Sequence, residues 1–449
     1  MKRRTFIQRS SLLAAAALLA KPGSATGTQQ DRKLRTAHVG LGYQGMEDIK
    51  ATASHPAVEV VALCDPDATM LAAAAAEQPG ARQFADYRAM LEELGDEIDA
   101  VLVSTPDHMH APVALAAMAL DKPVYCQKPL THHVSEAREM DRVARERGLV
   151  TQMGIQVHSF HDYRVATQLI QSGIIGKVST VRAWSPKNWG YDGPAPDTTD
   201  PVPETLDWDL WLGVAPDRPY TEGAYHPSLW RKYLAFGCGT LGDMGVHIFD
   251  TPYNALALDV PRTIVNDCRP PSGVGFPEHN RVTYEFPGTD YTGETLTWVW
   301  DDGPGAPADH PELQLPDNDE LPDQGAMFIG ERGRLLLPHF MQEPRLIVDG
   351  QYQDISSEIA AAAAALDLGE PVRDYASESP KHYHQFVDAC LGEDETSAPF
   401  SYAARLTEVI LLGVVAGRFP NQTLHWDAEA ARFAETEANQ YLEGEYRDF

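Results

Sequence analysis

The chain has 449 residues, 43 % hydrophobic and 9 % aromatic, enough apolar material for two or three domains with cores of their own. A formal charge of −29 would repel a phosphate backbone and argues against nucleic acid as a partner. Five cysteines, odd in number and without CxxC spacing, predict neither a disulfide framework nor a zinc site.

The first stretch, "MKRRTFIQRSSLLAAAALLAKPGSATG", has a basic start, an apolar run from Leu12 to Ala20 and small residues at Gly23–Ala25. That is the three-part layout of a secretory signal. The run is too short to span a bilayer, so no lasting membrane anchor is expected. Arg3-Arg4-Thr5-Phe6-Ile7 resembles a twin-arginine signal, whose pathway exports folded proteins. Residues 1–33 are therefore expected to be a signal and linker, and the protein periplasmic or otherwise exported.

From Leu34 the pattern alternates strand and helix. "LRTAHVG", "VEVVALCD", "DAVLVSTP", "PVYCQKP" and "LVTQMGIQ" read as short apolar strands, with helical segments between them. This predicts a parallel sheet covered on both faces. After Gln156 the rhythm changes. A helix "DYRVATQLIQSGIIG" and a segment "KVSTVRAW" precede a Pro/Asp-rich loop over 186–207. "NRVTYEFPG" and "GETLTWVWDDG" then read as antiparallel strands. "GAMFIGERGRLLLPHF" predicts a hairpin turning at Gly330 and Gly333, and helices are expected near 378–392 and 402–417. The simplest division is a domain over 34–155 and another over 156–449.

"HVGLGYQG" places Gly40, Gly42 and Gly45 in G-x-G-x-x-G spacing, after a strand and at the start of a helix. Asp65 ends the next strand, twenty residues beyond Gly45. Together these form a dinucleotide-binding context. Gly40 permits the turn, Gly42 lets a pyrophosphate approach the backbone, and Gly45 lets helix and strand pack closely. Tyr43 and Gln44 complete the turn, and the helix N-terminus supplies amide donors. Asp65 would bind ribose hydroxyls. With Asp67 nearby and no Arg or Lys beside it, NAD is favoured over NADP.

Two further loops lie at strand carboxyl ends, where an open α/β sheet binds ligands. "STPDHMH" offers Ser104, Thr105, Pro106, His108 and His110 to the cofactor. "CQKPL" offers Gln127 and Lys128, and Gln156 follows the last strand. Lys128, if it faces a nicotinamide, would orient a hydroxyl and stabilise a developing alkoxide. "GTLGDMGVHIFD" then sets Asp243, His247 and Asp250 at helical spacing. Their residue types suit a capped helix, a metal or proton transfer, but no third metal ligand is evident.

In this order these motifs resemble the glucose–fructose oxidoreductase / inositol dehydrogenase / rhizopine-catabolism (Gfo/Idh/MocA) family. The C-terminal stretch "WDAEAARFAETEANQYLEGEYR" looks like that of secreted bacterial branches. The resemblance implies a Rossmann NAD-binding domain followed by an α/β domain with a large, mainly antiparallel open sheet. It also implies a carbohydrate substrate, no metal, and a homodimer or tetramer. The family has Glu-Lys-Pro where this chain has Gln127-Lys128-Pro129, so the role of that acid is open. By the resemblance, Asp243 and His247 join Lys128 at the nicotinamide end. His247 would take the hydroxyl proton, Asp243 would bind the hydroxyl and orient His247, and Lys128 would stabilise charge on oxygen. Asp250 is read as structural, bonding within its helix or to the backbone.

"GIQVHSFHDYR" and "SPKNWGYDG" add His158, Tyr163, Lys187 and Trp189 as candidate sugar-binding residues, since aromatic faces stack on sugar rings and polar groups bond hydroxyls. Trp184 and Trp189 serve equally as core. His132-His133 reads as a helix N-terminal feature. Three functions are compatible with this reading. One is an exported oxidoreductase acting on a sugar hydroxyl with tightly bound NAD. A second is a redox-neutral glycosidase working through a transient 3-keto sugar, with Tyr163 or His161 imagined as a base for C2. A third, of another class, is a non-catalytic sugar-binding protein.

Overall fold

The computed structural model describes residues 33–270 and 273–449, so the candidate signal lies outside the described residues. Six strands form the first sheet: β1 (Leu34–Val39), β2 (Val58–Cys64), β3 (Arg82–Phe84), β4 (Ala100–Val103), β5 (Val124–Gln127) and β6 (Thr151–Gly154). All neighbours are parallel, in the order β3-β2-β1-β4-β5-β6. Every residue of β4, β5 and β6 is buried, as a sheet covered on both faces requires. The covering helices are α1 (Gln44–Ala53), α2 (Ala68–Glu77), α3 (Tyr87–Leu94), α4 (Asp107–Ala119) and α5 (Val134–Arg147). Asp67 and Asp86 cap α2 and α3 by accepting from Thr69 N and Arg88 N, both at 2.8 Å. Glu136 reaches back to the amides of His132 and His133, so that tandem is a helix start as expected. The strand order reverses between β1 and β4, and a crevice opens at their carboxyl ends.

The second half begins with α6 (His161–Gln171), β7 (Val178–Ser185), the short α7 (Trp208–Leu212) and α8 (Val246–Ala255). There follow β8 (Thr263–Cys268), β9 (Asn280–Pro287), β10 (Thr292–Asp302), β11 (Gln324–Gly330), β12 (Gly333–His339), β13 (Arg345–Val348) and β14 (Gln351–Gln353). Helices α9 (Ser356–Ala365), α10 (Tyr375–Leu391) and α11 (Phe400–Ala416) precede β15 (Leu424–Asp427) and β16 (Arg432–Phe433). The ten strands make one open sheet in the order β14-β13-β12-β11-β7-β10-β9-β8-β15-β16. Only the β7–β10 pair is parallel, and Gly330 faces Gly333 across the predicted hairpin turn. Phe249 of α8 stacks on Trp298 of β10 at 4.3 Å, fixing the helix to the sheet.

Packing crosses the expected division near residue 155. Tyr383, Phe386 and Val387 of α10 share one core with Leu34, Ile49, Leu63, Leu102 and Tyr125 of the first domain. The Tyr383 ring stacks on Tyr125 at 4.9 Å. A helix from the second half therefore completes the cover of the first sheet.

Candidate active site

Above the carboxyl ends of β1, β4 and β5 the two halves enclose a cleft of about 370 Å³. Its floor is the glycine turn. Gly40 has φ +86, and a Cβ there would lie 2.6 Å from backbone atoms of Ser104 and Thr105. A Cβ at Gly45 would lie 2.1 Å from the Gly40 carbonyl oxygen, so that glycine serves close packing. At Gly42 a Cβ would meet only Met70 Sδ, at 3.8 Å. The space in front of Gly42 is open, and the free amides of the α1 N-terminus begin there. This cradle fits a pyrophosphate, and Tyr43, 66 % exposed, stands at its rim.

Asp65 closes the other end. Its Oδ2 accepts from Leu41 N at 2.7 Å and its Oδ1 from Asp67 N at 2.8 Å. Burial raises its carboxyl to about 6 against the pull of those amides, so it is an anion at neutral pH with lone pairs left for a ribose. Three basic side chains stand near this end, His226, Arg88 and Arg447. All are already paired, with Asp67 at 2.8 Å, with Asp86 at 2.7 Å and with Asp209 at 2.6 Å. A 2′-phosphate would meet three carboxylates, and the preference for NAD stands.

At the opposite end, Lys128 Nζ donates to Asp243 Oδ1 and to the Asp243 carbonyl oxygen, both at 2.9 Å. Trp189 Nε1 donates to Asp243 Oδ2 at 2.6 Å, and Arg231 lies 3.5 Å from Oδ1. Burial alone would raise the Asp243 carboxyl, but Lys128 and Arg231 hold it below the usual carboxylate range. A π-helical turn over Leu241–Gly245 leads into α8 and presents Asp243 and His247 to the cleft. His339, at the end of β12, lies beside His247 with ring centroids 6.2 Å apart. Its Nδ1 is 2.7 Å from the Tyr163 hydroxyl. Burial, and then Lys187, lowers His339 to about 4, so it is neutral at pH 7. Asp107, also in the cleft wall, is raised to about 7 by burial, with Arg231 and Lys128 opposing.

Ser104, Thr105, Pro106, His110, Gln127, Lys128, Gln156, Lys187, Gln44 and Tyr43 all line this cleft. Six assignments need correction. His108 is buried against Trp211 and Phe236 with Nε2 3.1 Å from the Leu212 carbonyl oxygen, and does not line the cleft. His158 pairs with Asp250 at 2.9 Å and faces a separate cavity of about 610 Å³, together with His161 and Tyr163. Tyr163 thus reaches the cleft only through His339. Trp189 acts through Asp243 rather than lining the cleft, and Trp184 is core. Asp243 is bonded to Lys128 and Trp189 and does not orient His247, whose Nδ1 is buried without a partner. Asp250 keeps a structural role, but its carboxylate meets His158 and the Tyr402 hydroxyl, the latter at 2.7 Å, rather than its own helix or the backbone.

The residues missed by sequence reasoning are Arg231, His339 and His226 in the cleft, and Asp48 beneath it. Asp48 also explains Gln127: the Gln127 amide donates to both Asp48 oxygens at 3.0 Å, where a glutamate would set a second buried carboxylate against the first.

Residues 34–155 match the model of the oxidoreductase family GFO_IDH_MocA, NAD-binding Rossmann fold, and residues 161–286 match its C-terminal alpha/beta domain. A glycosyl hydrolase family 109 protein of Stenotrophomonas maltophilia is 31 % identical over 195 residues, 41 % of this chain and 42 % of that protein. A levoglucosan dehydrogenase of Pseudarthrobacter phenanthrenivorans is 24 % identical over 49 % of this chain and 50 % of its own. The chain thus aligns with about half, or less, of the length of these relatives. A solved levoglucosan dehydrogenase in complex with NADH and L-sorbose shares the fold, with a TM-score of 0.62 at 15 % identity, covering 88 % of this chain and 99 % of that one.

Proposed function

We propose, from the premise that the chain belongs to the Gfo/Idh/MocA oxidoreductase family, that it oxidises a secondary hydroxyl of a sugar or glycoside with tightly held NAD. The observation that carries this is the joining of Lys128, Asp243 and His247 in one cleft with the glycine turn and Asp65. NAD, when bound, supplies the hydride acceptor at nicotinamide C4. The Lys128 ammonium gives two of its three N–H bonds to Asp243, leaving the third for a substrate oxygen. As the hydroxyl proton leaves, that ammonium stabilises the charge growing on oxygen. His247, neutral because burial and then Lys128 and His339 depress it, takes the proton. Asp243 holds Lys128 in place, and Trp189 and Arg231 hold Asp243.

A second reading, redox-neutral glycoside hydrolysis, is favoured by the enclosure of the adenosine end. Ala68 N donates to Thr205 O at 2.8 Å and Asp207 N to Pro66 O at 2.9 Å. Trp211, His226, Pro227 and Phe449 line the cleft opposite Asp65 and Tyr87. Arg447 bonds Asp209 at 2.6 Å and Asp217 at 2.9 Å, and the Arg88 guanidinium lies 4.2 Å from the Phe449 ring centroid. A dinucleotide under this roof would be slow to leave and would be recycled within each turnover. In that scheme oxidation at C3 acidifies the C2 hydrogen, the aglycone leaves C1, water adds and the hydride returns. His339, in the cleft and held by Tyr163, is the candidate base at C2 in place of Tyr163 or His161 themselves.

The proposal includes export by the twin-arginine route, which the sequence of residues 2–25 supports, and assembly as a homodimer or tetramer, which the family resemblance supports. Purified protein without added nucleotide is assayed on a panel of sugars and aryl glycosides, following 340 nm absorbance and product release, then denatured to identify its nucleotide by mass. One NADH per site, with turnover only on adding NAD or a carbonyl acceptor, supports the oxidoreductase. Many cleavages with no lasting 340 nm rise support the glycosidase. No signal and no nucleotide would leave a sugar-binding protein.

A further inference from the structure

The least expected group near the cleft is Asp48. It lies on α1, one turn past the glycine turn, and is fully buried. Four side chains donate to it: Gln44 Nε2 at 2.8 Å and Tyr383 OH at 2.6 Å to Oδ1, Ser104 Oγ at 2.5 Å to Oδ2, and Gln127 Nε2 at 3.0 Å to both. None of the four is cationic. A buried carboxylate with only neutral donors is costly unless every donor is held in place, and removing one leaves the charge under-satisfied. The network extends to the cleft on two sides. Gln127 Oε1 accepts from Lys128 N at 3.3 Å, and Gln156 Nε2 donates to the Tyr383 hydroxyl at 2.8 Å. Gly154 leaves room for the Gln127 side chain, since a Cβ there would sit 2.7 Å from its amide. Ser104, Gln127, Lys128 and Gln156 all line the cleft, and Asp48 itself does not.

We propose that Asp48 is a positioning residue for the nicotinamide half of the cleft: by binding Gln127, Ser104 and Tyr383 at once it fixes the strand-end residues that present Lys128 and ties α1 to α10. This rests on the dinucleotide reading above. Burial raises the Asp48 carboxyl against the pull of its donors, and the arrangement has place for one carboxyl group, at 48 or at 127. Gln127→Glu brings a second carboxylate to about the same 3.0 Å separation and disrupts the strand end. Asp48→Asn leaves the Gln127 amide facing another amide. Exchanging the two, Asp48→Asn with Gln127→Glu, restores one carboxyl and one amide across the same gap.

The test uses the full chain stripped of nucleotide, with NAD⁺ and ADP-ribose as the two probes, read by calorimetry. ADP-ribose has everything but the nicotinamide. We expect Asp48→Asn and Gln127→Glu each to weaken NAD⁺ about tenfold while ADP-ribose changes less than twofold, and the exchanged double variant to recover most of the loss. Equal loss for both probes would make Asp48 a scaffold residue and overturn the proposal. A double variant no better than its worse parent would overturn it too, and this comparison remains if Asp48→Asn alone fails to fold. Wild-type protein that binds neither probe would refute the dinucleotide reading itself, a result distinct from either of these.

Discussion

The Lys128 ammonium lies 2.9 Å from two oxygens of Asp243, one of the carboxylate and one of the backbone, across 115 residues of sequence. Asp243 is therefore a holder of the lysine before it is a ligand for substrate. Because both side chains are largely buried, removing one charge leaves the other poorly solvated.

Replacement of Lys128 by Met is expected to lower turnover about 100- to 1,000-fold, since charge on the substrate oxygen would lose its nearest cation. NAD should stay bound, because the glycine turn and Asp65 are untouched. Steady-state rates on whichever substrate the panel identifies, with nucleotide content by mass, check both halves. Unchanged turnover would remove Lys128 from the mechanism.

The pH dependence follows from His247. Burial first, then Lys128 and His339, keep its imidazole well below the usual range, so the neutral base persists as the medium turns acid. In kcat/KM the acid limb attributable to this group should fall well below the ordinary imidazole value of about 6.5. Taking away the Lys128 charge removes a depressing influence, so in Lys128→Met the limb should move to higher pH. A limb that stays put or moves down in the variant would mean that another group titrates there.

What could be read from the sequence was what is local. Strand, glycine turn, helix and the Asp65 strand end are contiguous, so one motif fixes them together. Lys128 was legible because a charge at a buried strand end is conspicuous. Nearness to a motif does not set direction, however. In the first turn of α4, successive side chains diverge by about 100°, so His110 enters the cleft while His108 is buried against Trp211 and Phe236. Asp48 had the look of an ordinary helix-face acid. It is buried because Tyr383 arrives from 335 residues away, and no periodicity in α1 carries that information. His339 and Arg231 likewise reach the cleft only through the topology of the second half.

The roof over the adenosine end yields a kinetic prediction. Arg447 bonds Asp209 through both side chain and carbonyl and Asp217 through its side chain, which fastens the C-terminal segment to α7. Arg447→Ala should speed release of bound dinucleotide about two- to fivefold while leaving hydride transfer from the loaded protein intact, since the Asp209 and Asp217 carboxylates are largely exposed and ion pairs of this kind contribute about 0.2–1 kcal/mol. Exchange of bound NAD⁺ against an isotopically labelled pool measures it. Equal exchange rates in variant and wild type would show that the roof does not retain the nucleotide.

Asp302 provides a test of stability apart from catalysis. At the end of β10 it is buried, accepting from Asn280 Nδ2 at 2.9 Å and Trp300 Nε1 at 2.7 Å. Burial raises its carboxyl to about 7, more than those two donors can offset. Because the folded value lies above the unfolded one, the native state holds a proton that the unfolded state has lost at intermediate pH. The contribution to stability is full below about pH 4 and is lost as pH rises through about 7, a change on the order of 3–4 kcal/mol for a fully buried group. Asp302→Asn cannot ionise and escapes that loss. Relative to wild type, its Tm should therefore be higher at pH 8 than at pH 5, whatever the absolute cost of the substitution. A Tm difference between variant and wild type that is flat from pH 5 to 8, or that runs the other way, would show that Asp302 is ionised in the folded protein across this range.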